Sequence, residues 1–470
     1  MNLFDQALDI GRGLTERRVR LGVTGLSDAG KTVFITSLVH GLLHPARMTR
    51  LSVVGEERLD VAVLRPQPSQ DLPRFPYEAC VAQLTGHAAN GDGKPAWPQS
   101  TRSIAELRVS IRYRPTGLVS AFGDRLLHLD LFDYPGEWLL DLTLLDRSFA
   151  EWSAGALALA RQPAADAFAA PWLEHLDTLD PDAPDPAAET AALEAAGRYT
   201  AYLRARRAAE GRATLLGPGR FLLPGELEGS PLLTFCPLPP EAPGARPARS
   251  SLRTLMEERY RAYRSHVVKA FHERHFARLD RQVVLVDLGA HMSAGGRPLA
   301  EVSQSLDAVL KALAIGGSGW LPRWLSPRID RVLFAASKAD HLPSDQHPAM
   351  EDLLRRSLGE SIRRTAYRGA ELDVISLAAL RATREVLSKD EDRRYVAGRT
   401  EDALRDVAHF PGRLDPGLTD RGPADRGPWG ARDSFRIARF LPPPGLDPAG
   451  PWPHLRLDRA VEMLIGDWLA

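Results

Sequence analysis

The residues Gly25-Leu26-Ser27-Asp28-Ala29-Gly30-Lys31-Thr32 fit the pattern G-x-x-x-x-G-K-[ST]. The apolar run Val19 to Thr24 before them reads as a buried strand. After them, Val33-Phe34-Ile35-Thr36-Ser37-Leu38-Val39 opens a segment with apolar residues at helical spacing. Strand, glycine-rich turn and helix start is the context in which this pattern forms a phosphate-binding loop. Backbone N–H groups converge there on an anion, and the helix N-terminus adds its partial positive charge. The expected contacts run from Gly25 through Ser27, Asp28, Ala29 and Gly30 to Val33, with Lys31 reaching the β- and γ-phosphates and the Thr32 hydroxyl ligating Mg²⁺. Only six of the 60 basic residues are lysines, yet two of the six, Lys31 and Lys338, fall in motifs of this kind. A guanidinium does not replace a compact ammonium in such a loop. The implied ligand is a nucleoside triphosphate.

At 470 residues the chain is too long for one small core, and two or three domains are expected. Its 60 acidic and 60 basic residues balance, which removes any global electrostatic case for nucleic acid or an anionic membrane. The local cluster Arg204-Ala205-Arg206-Arg207 reads as a solvated helix face. Cys80 and Cys236 are the only cysteines, too few for a disulfide framework and in keeping with a reducing compartment. No apolar stretch reaches the roughly 18 residues of a transmembrane helix, and acids at Asp5 and Asp9 interrupt any secretory apolar segment. A cytoplasmic protein is expected. Residues 3 to 17 have the spacing of a short amphipathic helix (Phe4, Ala7, Leu8, Leu14), expected to pack on its own protein, with peripheral membrane contact as the minor alternative.

Short β-type runs lie far apart along the chain. Residues 44 to 100 are irregular and rich in Pro and Gly. Then Leu107–Tyr113 and Leu126–Asp133 form a hairpin-like pair. From Trp138 to about Arg281 the texture is helical, broken around Asp180 to Pro186 and again over 217–247. Apolar strands return at Gln282–Asp287, Arg331–Ala336 and Leu372–Leu377. Strands alternating with helices predict an α/β fold with a mostly parallel sheet flanked by helices. The expected divisions are an N-terminal helix (1–17), a first nucleotide-binding part (18–137), a mainly helical insertion (138–281), a second, base-recognising part (282–385) and a small C-terminal subdomain (386–470).

Asp133-Tyr134-Pro135-Gly136 has the form D-x-x-G at the carboxyl end of a strand. In that arrangement the acid meets Mg²⁺ through water and the glycine N–H senses the γ-phosphate. Ser337-Lys338-Ala339-Asp340 follows another strand and is similar to [NT]-K-x-D, in which the Lys stem lies along the base and the carboxylate takes two hydrogen bonds from guanine. Ser in place of Asn weakens the tether between this loop and the phosphate loop. Ser376 and Leu377 end the last strand, where a backbone N–H would meet the guanine oxygen. Thr101 is the candidate for a further Mg²⁺-binding switch residue, with Ser100 and Ser103 as rivals. Arg102 beside it is a candidate arginine finger in cis, against an ordinary surface ion pair. Glu137 occupies the place of a water-orienting residue. A carboxylate there is repelled by a γ-phosphate unless a cation compensates, so it either orients the attacking water or points away.

The order of these motifs is that of a Ras-like GTPase. The segments Val23–Leu38, Phe132–Trp138 and Ser337–His341 together resemble the YcjX-like family of bacterial P-loop NTPases. The resemblance runs over most of the chain. It implies a cytosolic, stress-associated NTPase, a GTPase in appearance, with an inserted helical domain. Three functions remain open at this point: a GTP-hydrolysing switch using Mg²⁺, an ATPase of the same fold in which Asp340 is only structural, and a nucleotide-stabilised scaffold with little turnover. In each, the insertion that begins at Trp138 is the expected surface for a protein partner.

Overall fold

The computed structural model describes residues 16–25, 28–88, 93–99, 103–117, 120, 123–162, 166–209, 217–241, 247–293, 303, 306, 310, 329–367, 370–388, 393–400, 403–414 and 435–470. The predicted helix over 3–17 lies outside them except for its last two residues, which open a strand. The chain divides into two compact units, one of Met1–Pro135, Leu279–Ser303 and Pro327–Ala470, the other of Gly136–Arg278 and Gln304–Ser326.

The first unit is built on a sheet that, among the described residues, has seven strands: β1 (Glu16–Gly25), β2 (Leu59–Arg65), β3 (Ala105–Tyr113), β4 (Arg125–Asp133), β5 (Arg281–Val286), β6 (Arg331–Ala336) and β7 (Glu371–Ser376), in the order β2-β3-β4-β1-β5-β6-β7. β1 runs parallel to β4 and β5, and the parallel pairing continues through β6 to β7. Only β3 pairs antiparallel, with β2 on one side and β4 on the other. The parallel strands are near-continuous apolar runs because both faces are covered; every residue of β5 is buried. β2 and a helix at Tyr77–Thr85 fall in the stretch the sequence reads as irregular. A second, three-stranded antiparallel sheet joins β8 (Arg384–Leu387), β9 (Arg394–Thr400) and β10 (Ala403–His409).

The helices used below are α1 (Lys31–Leu43), α2 (Tyr77–Thr85), α3 (Glu137–Leu142), α4 (Phe149–Ala160), α5 (Asp166–Asp177), α6 (Ala188–Ala209), α7 (Leu252–Ala262), α8 (His347–Tyr367) and α9 (Leu457–Ile465). Phe34, Ile35 and Leu38 of α1 share one core with Val19, Leu21 and Val23 of β1 and with Leu457, Val461 and Leu464 of α9. The last helix is therefore part of the core of the sheet unit. Arg281, at the start of β5, fastens it. Buried to 2 % exposure, its guanidinium donates to Leu464 O at 2.9 Å, pairs with Asp467 at 2.7 Å and also meets Asp330.

His40 makes a second tie between α1 and the C-terminal segment. Its ring stacks on Trp452 with centroids 3.8 Å apart. Nε2 lies 2.7 Å from Gly450 O, so it carries the proton, and Nδ1 accepts from the Tyr77 hydroxyl at 3.0 Å. Burial is the main cause that lowers its pKa from 6.5 to about 4. Between those values the unfolded chain binds the proton and the native state does not.

The second unit is helical. α4 opens on a capping box in which Ser148 Oγ accepts from Glu151 N at 3.2 Å and Glu151 Oε2 accepts from Ser148 N at 2.8 Å. Its core is aromatic. Trp152 stacks on Tyr260 (5.2 Å between centroids), Trp172 stacks on Tyr202 (5.5 Å), and Phe221 meets Phe235 edge-on (5.0 Å). Such rings carry much apolar area in a domain whose longest helix, α6, is rich in Ala and Arg.

The protonation of His40 gives a test. Unfolding free energy should fall as pH is lowered from about 6.5 toward 4, and His40→Asn should flatten that fall in denaturant titrations across the window. An unchanged slope in the variant would contradict the assignment of a buried neutral ring.

Candidate functional site

The carboxyl ends of β1, β4, β5, β6 and β7 all face one edge of the sheet, because these strands are mutually parallel. Open α/β sheets bind ligands along that edge. β1 ends at Gly25, and the chain must turn sharply to start α1. Gly25 lies so close to its neighbour that a Cβ there would sit 2.4 Å from Leu285 O. Asp28 and Gly30 adopt left-handed backbone, with φ of +59° and +85°. Aspartate tolerates this conformation and glycine adopts it without penalty. Gly30 is the N-cap of α1, with no side chain capping the helix, and its carbonyl accepts the first helical bond from Phe34 N at 2.8 Å. The first N–H groups of α1 therefore have no side-chain acceptor from the cap.

Lys31 and Thr32 are each 7 % exposed and Ala29 is fully buried. The Lys31 ammonium folds back over the loop and donates to Gly25 O at 3.2 Å. The Thr32 hydroxyl donates to Gln99 O at 3.5 Å, and Val33 is half-buried in the first turn. Beside this loop, Asp133 is in register with Val23 of β1, and Tyr134 N donates to Val23 O at 3.4 Å. The Asp133 side chain is 1 % exposed. The sheet thus brings the phosphate-loop strand and the D-x-x-G acid onto adjacent strands. Ser27, Thr101, Arg102 and Ser100 lie outside the described residues.

Gly136 and Glu137 belong to the helical unit. Gly136 has helical dihedrals (φ −62°, ψ −28°) and caps α3. Glu137 is 4 % exposed, and its Oε1 accepts from Arg207 Nη2 at 2.8 Å. The reading of residues 204–207 as a solvated face does not hold for two of them. Arg206 is 5 % exposed and donates to the Tyr202 hydroxyl at 3.3 Å, and Arg207 is engaged with Glu137.

On the other side of β1 the strand ends are more heavily committed. Lys338, in left-handed backbone (φ +56°), reaches Asp287 at the end of β5, with Nζ 2.7 Å from Oδ2. Burial opposes the charged carboxylate of Asp287, but Lys338 and the N–H of Ala290 hold its pKa below the usual value. Asp340 is 5 % exposed, and its Oδ2 accepts from the backbone N–H of Ala382 (2.7 Å) and Thr383 (3.2 Å). Ser337 N donates to Val286 O at 2.9 Å, whereas its hydroxyl is buried with no hydrogen bond among the described residues. Ser376 N and Oγ both donate to Glu351, at 2.9 and 2.8 Å, and Leu377 N donates to Ala336 O at 2.9 Å. The N–H groups expected at Ser376 and Leu377 to meet a guanine oxygen are therefore spent inside the protein.

Sequence reasoning missed Asp287, Glu351, Thr383 and Arg207. Asp287 carried a readable signal, since it ends an apolar strand as Asp133 does. The others act across 25, 43 and 70 residues of chain, with no local pattern to mark them.

The model of the YcjX-like family, DUF463, matches residues 19–469. The chain belongs to this family. It is 35 % identical over 470 residues to the protein called Ras-like GTPase YcjX of Escherichia coli (strain K12), covering 98 % of this chain and 97 % of that one. It is also 35 % identical to the Ras-like GTPase YcjX of Shewanella oneidensis, over 97 % and 95 % of the two chains. The family relationship thus extends through the helical unit and α9. Among the described residues, no helix is long and apolar enough to cross a membrane.

Asp340 supplies a test that needs no ligand. Asp340→Ala would leave two buried N–H groups without their acceptor, at a cost of about 1–3 kcal/mol. Chemical denaturation should read that loss; a variant as stable as the parent would show that these hydrogen bonds contribute nothing.

Proposed function

We propose that the protein binds a guanine nucleoside triphosphate with Mg²⁺ and hydrolyses it to the diphosphate and phosphate, as a molecular switch. The observation that carries this reading is the loop between β1 and α1, with left-handed Gly30 at the helix N-cap, Lys31 drawn across the loop onto Gly25 O, and Asp133 in register on the next strand. The loop N–H groups and the α1 N-terminus would hold the phosphates, and Lys31 would bridge the outer two. The names of the two relatives support guanine as the base.

The donor set suits Mg²⁺. Thr32 hydroxyl and Asp133 carboxylate are hard oxygen ligands, and among the described residues no cluster of three His, Cys, Asp or Glu forms a complete cage. Mg²⁺ is commonly held this sparsely, with nucleotide phosphates and water completing its shell. When bound it would offset charge developing on the transferred phosphoryl group. Lys31 and the loop backbone orient that group, and Gly136 N–H would sense its presence.

A second reading draws on Asp340. With Oδ2 accepting from Ala382 and Thr383, that carboxylate works as a loop tether, which favours a site with weaker discrimination between GTP and ATP. Binding of both nucleotides to the parent and to Lys31→Ala tests the proposal. The parent should bind GTP with Mg²⁺ and prefer it to ATP, and the variant should bind about 100-fold more weakly. Equal affinity in parent and variant would refute the phosphate-loop assignment, and equal affinity for the two bases would favour the second reading. Asp340→Asn separates these further, since a base-reading acid would shift preference toward xanthine nucleotides.

A further inference from the structure

Glu137 immediately follows the glycine of D-x-x-G, so the chain itself keeps its carboxylate near any phosphate that Gly136 senses. A negative charge there works against a triphosphate more than against a diphosphate. Arg207 answers this charge. It sits in the last turn of α6, and its Nη2 lies 2.8 Å from Glu137 Oε1, with the carboxylate side chain 5 % exposed and the guanidinium side chain 20 % exposed.

The rest of α3 is fixed to the same unit. Trp138 Nε1 donates to Leu223 O at 3.2 Å, and the Arg220 guanidinium lies over the Trp138 ring at 3.2 Å. Asp141 accepts from Gly219 N at 2.6 Å and from the Tyr263 hydroxyl at 2.7 Å. These bonds leave the first residue of α3 little freedom to carry its side chain elsewhere. The place of the carboxylate is therefore set by α6, which supplies the guanidinium.

We infer that Arg207 is a positioning residue for the terminal phosphate: it holds Glu137 and offsets its charge, so that the helical insertion sets how strongly the site prefers a triphosphate to a diphosphate. This rests on the reading of Asp133–Gly136 as the loop that meets the γ-phosphate. Arginine suits the task because its planar fork keeps further N–H donors available while one is engaged with a carboxylate.

The test compares affinities of the full-length chain for GDP and for a non-hydrolysable GTP analogue, both with Mg²⁺, alongside thermal unfolding of each variant. Arg207→Ala should weaken the analogue about 10-fold relative to GDP. Adding Glu137→Gln to it should return the ratio toward that of the parent, since the carboxylate charge is then gone. A lowered melting temperature with an unchanged affinity ratio would mean an ordinary structural ion pair and would overturn the inference, as would a double variant no better than Arg207→Ala. Should Arg207→Ala fail to fold, Glu137→Gln alone decides: the analogue should gain on GDP, and an unchanged ratio overturns the inference. If the parent binds neither nucleotide, the phosphate-site reading falls and this inference with it. Intact binding with an unchanged ratio removes only the role of Arg207.

Discussion

The pairing of β1 with β4 on one side and β5 on the other is the constraint on which the site depends. It fixes Val23 opposite both Asp133 and Val283, and it brings Gly25 against Leu285 so closely that no side chain fits. Because both pairings are parallel, the ends of these strands arrive at one edge together. A strand buried on both faces by α1, α9 and its neighbours cannot slip by a residue without turning its apolar set out of the core. The loop that follows inherits that rigidity. Gly30 in left-handed backbone then starts α1 at a defined angle, and Lys31 lies across the loop as a consequence of where the strand stopped.

The same edge carries two different kinds of chemistry. Toward β4 the groups are suited to phosphate and metal: a lysine, a hydroxyl and a carboxylate around a helix N-terminus. Toward β6 and β7 the polar groups are largely satisfied by one another, through Lys338 with Asp287, Asp340 with the 382–383 backbone, and Ser376 with Glu351. A buried network of this sort is rigid when complete and costly when broken. It shapes the loops after β6 and β7 rather than leaving loose donors for a base. In the helical unit, α3 is held by Arg207, Arg220, Gly219 and Tyr263, so the segment after Gly136 is structurally part of the insertion. A change at Gly136 would therefore act on a packed helix rather than on a loose switch loop.

Much of this was legible in the sequence, and for a physical reason. β1, β5 and β6 are continuous apolar runs, the turn residues between β1 and α1 are dictated by backbone conformation, and Asp133 marks its own strand end. What was hidden depends on partners far along the chain. β2 is an edge strand in which only Ala62 is buried, so its pattern is too weak to stand out from the Pro- and Gly-rich stretch around it. α9 reads as an ordinary amphipathic helix; nothing local says that Leu464 meets the core of the sheet. Arg207 sits in a run that resembles a solvated face, and only the fold shows that its guanidinium reaches Glu137. Local rules recover the parts whose conformation is set by neighbours in sequence, and fail where a hydrogen bond spans dozens of residues.

The central claim is that the phosphate loop and the helical insertion form one nucleotide-responsive system through Gly136 and α3. Amide hydrogen exchange of the full chain, first with GDP and then with a non-hydrolysable GTP analogue, tests it most directly. The account predicts altered protection in α3 and α6 between the two nucleotides, while the amides of β1 stay equally protected. Identical exchange across residues 138–280 in both states would contradict it.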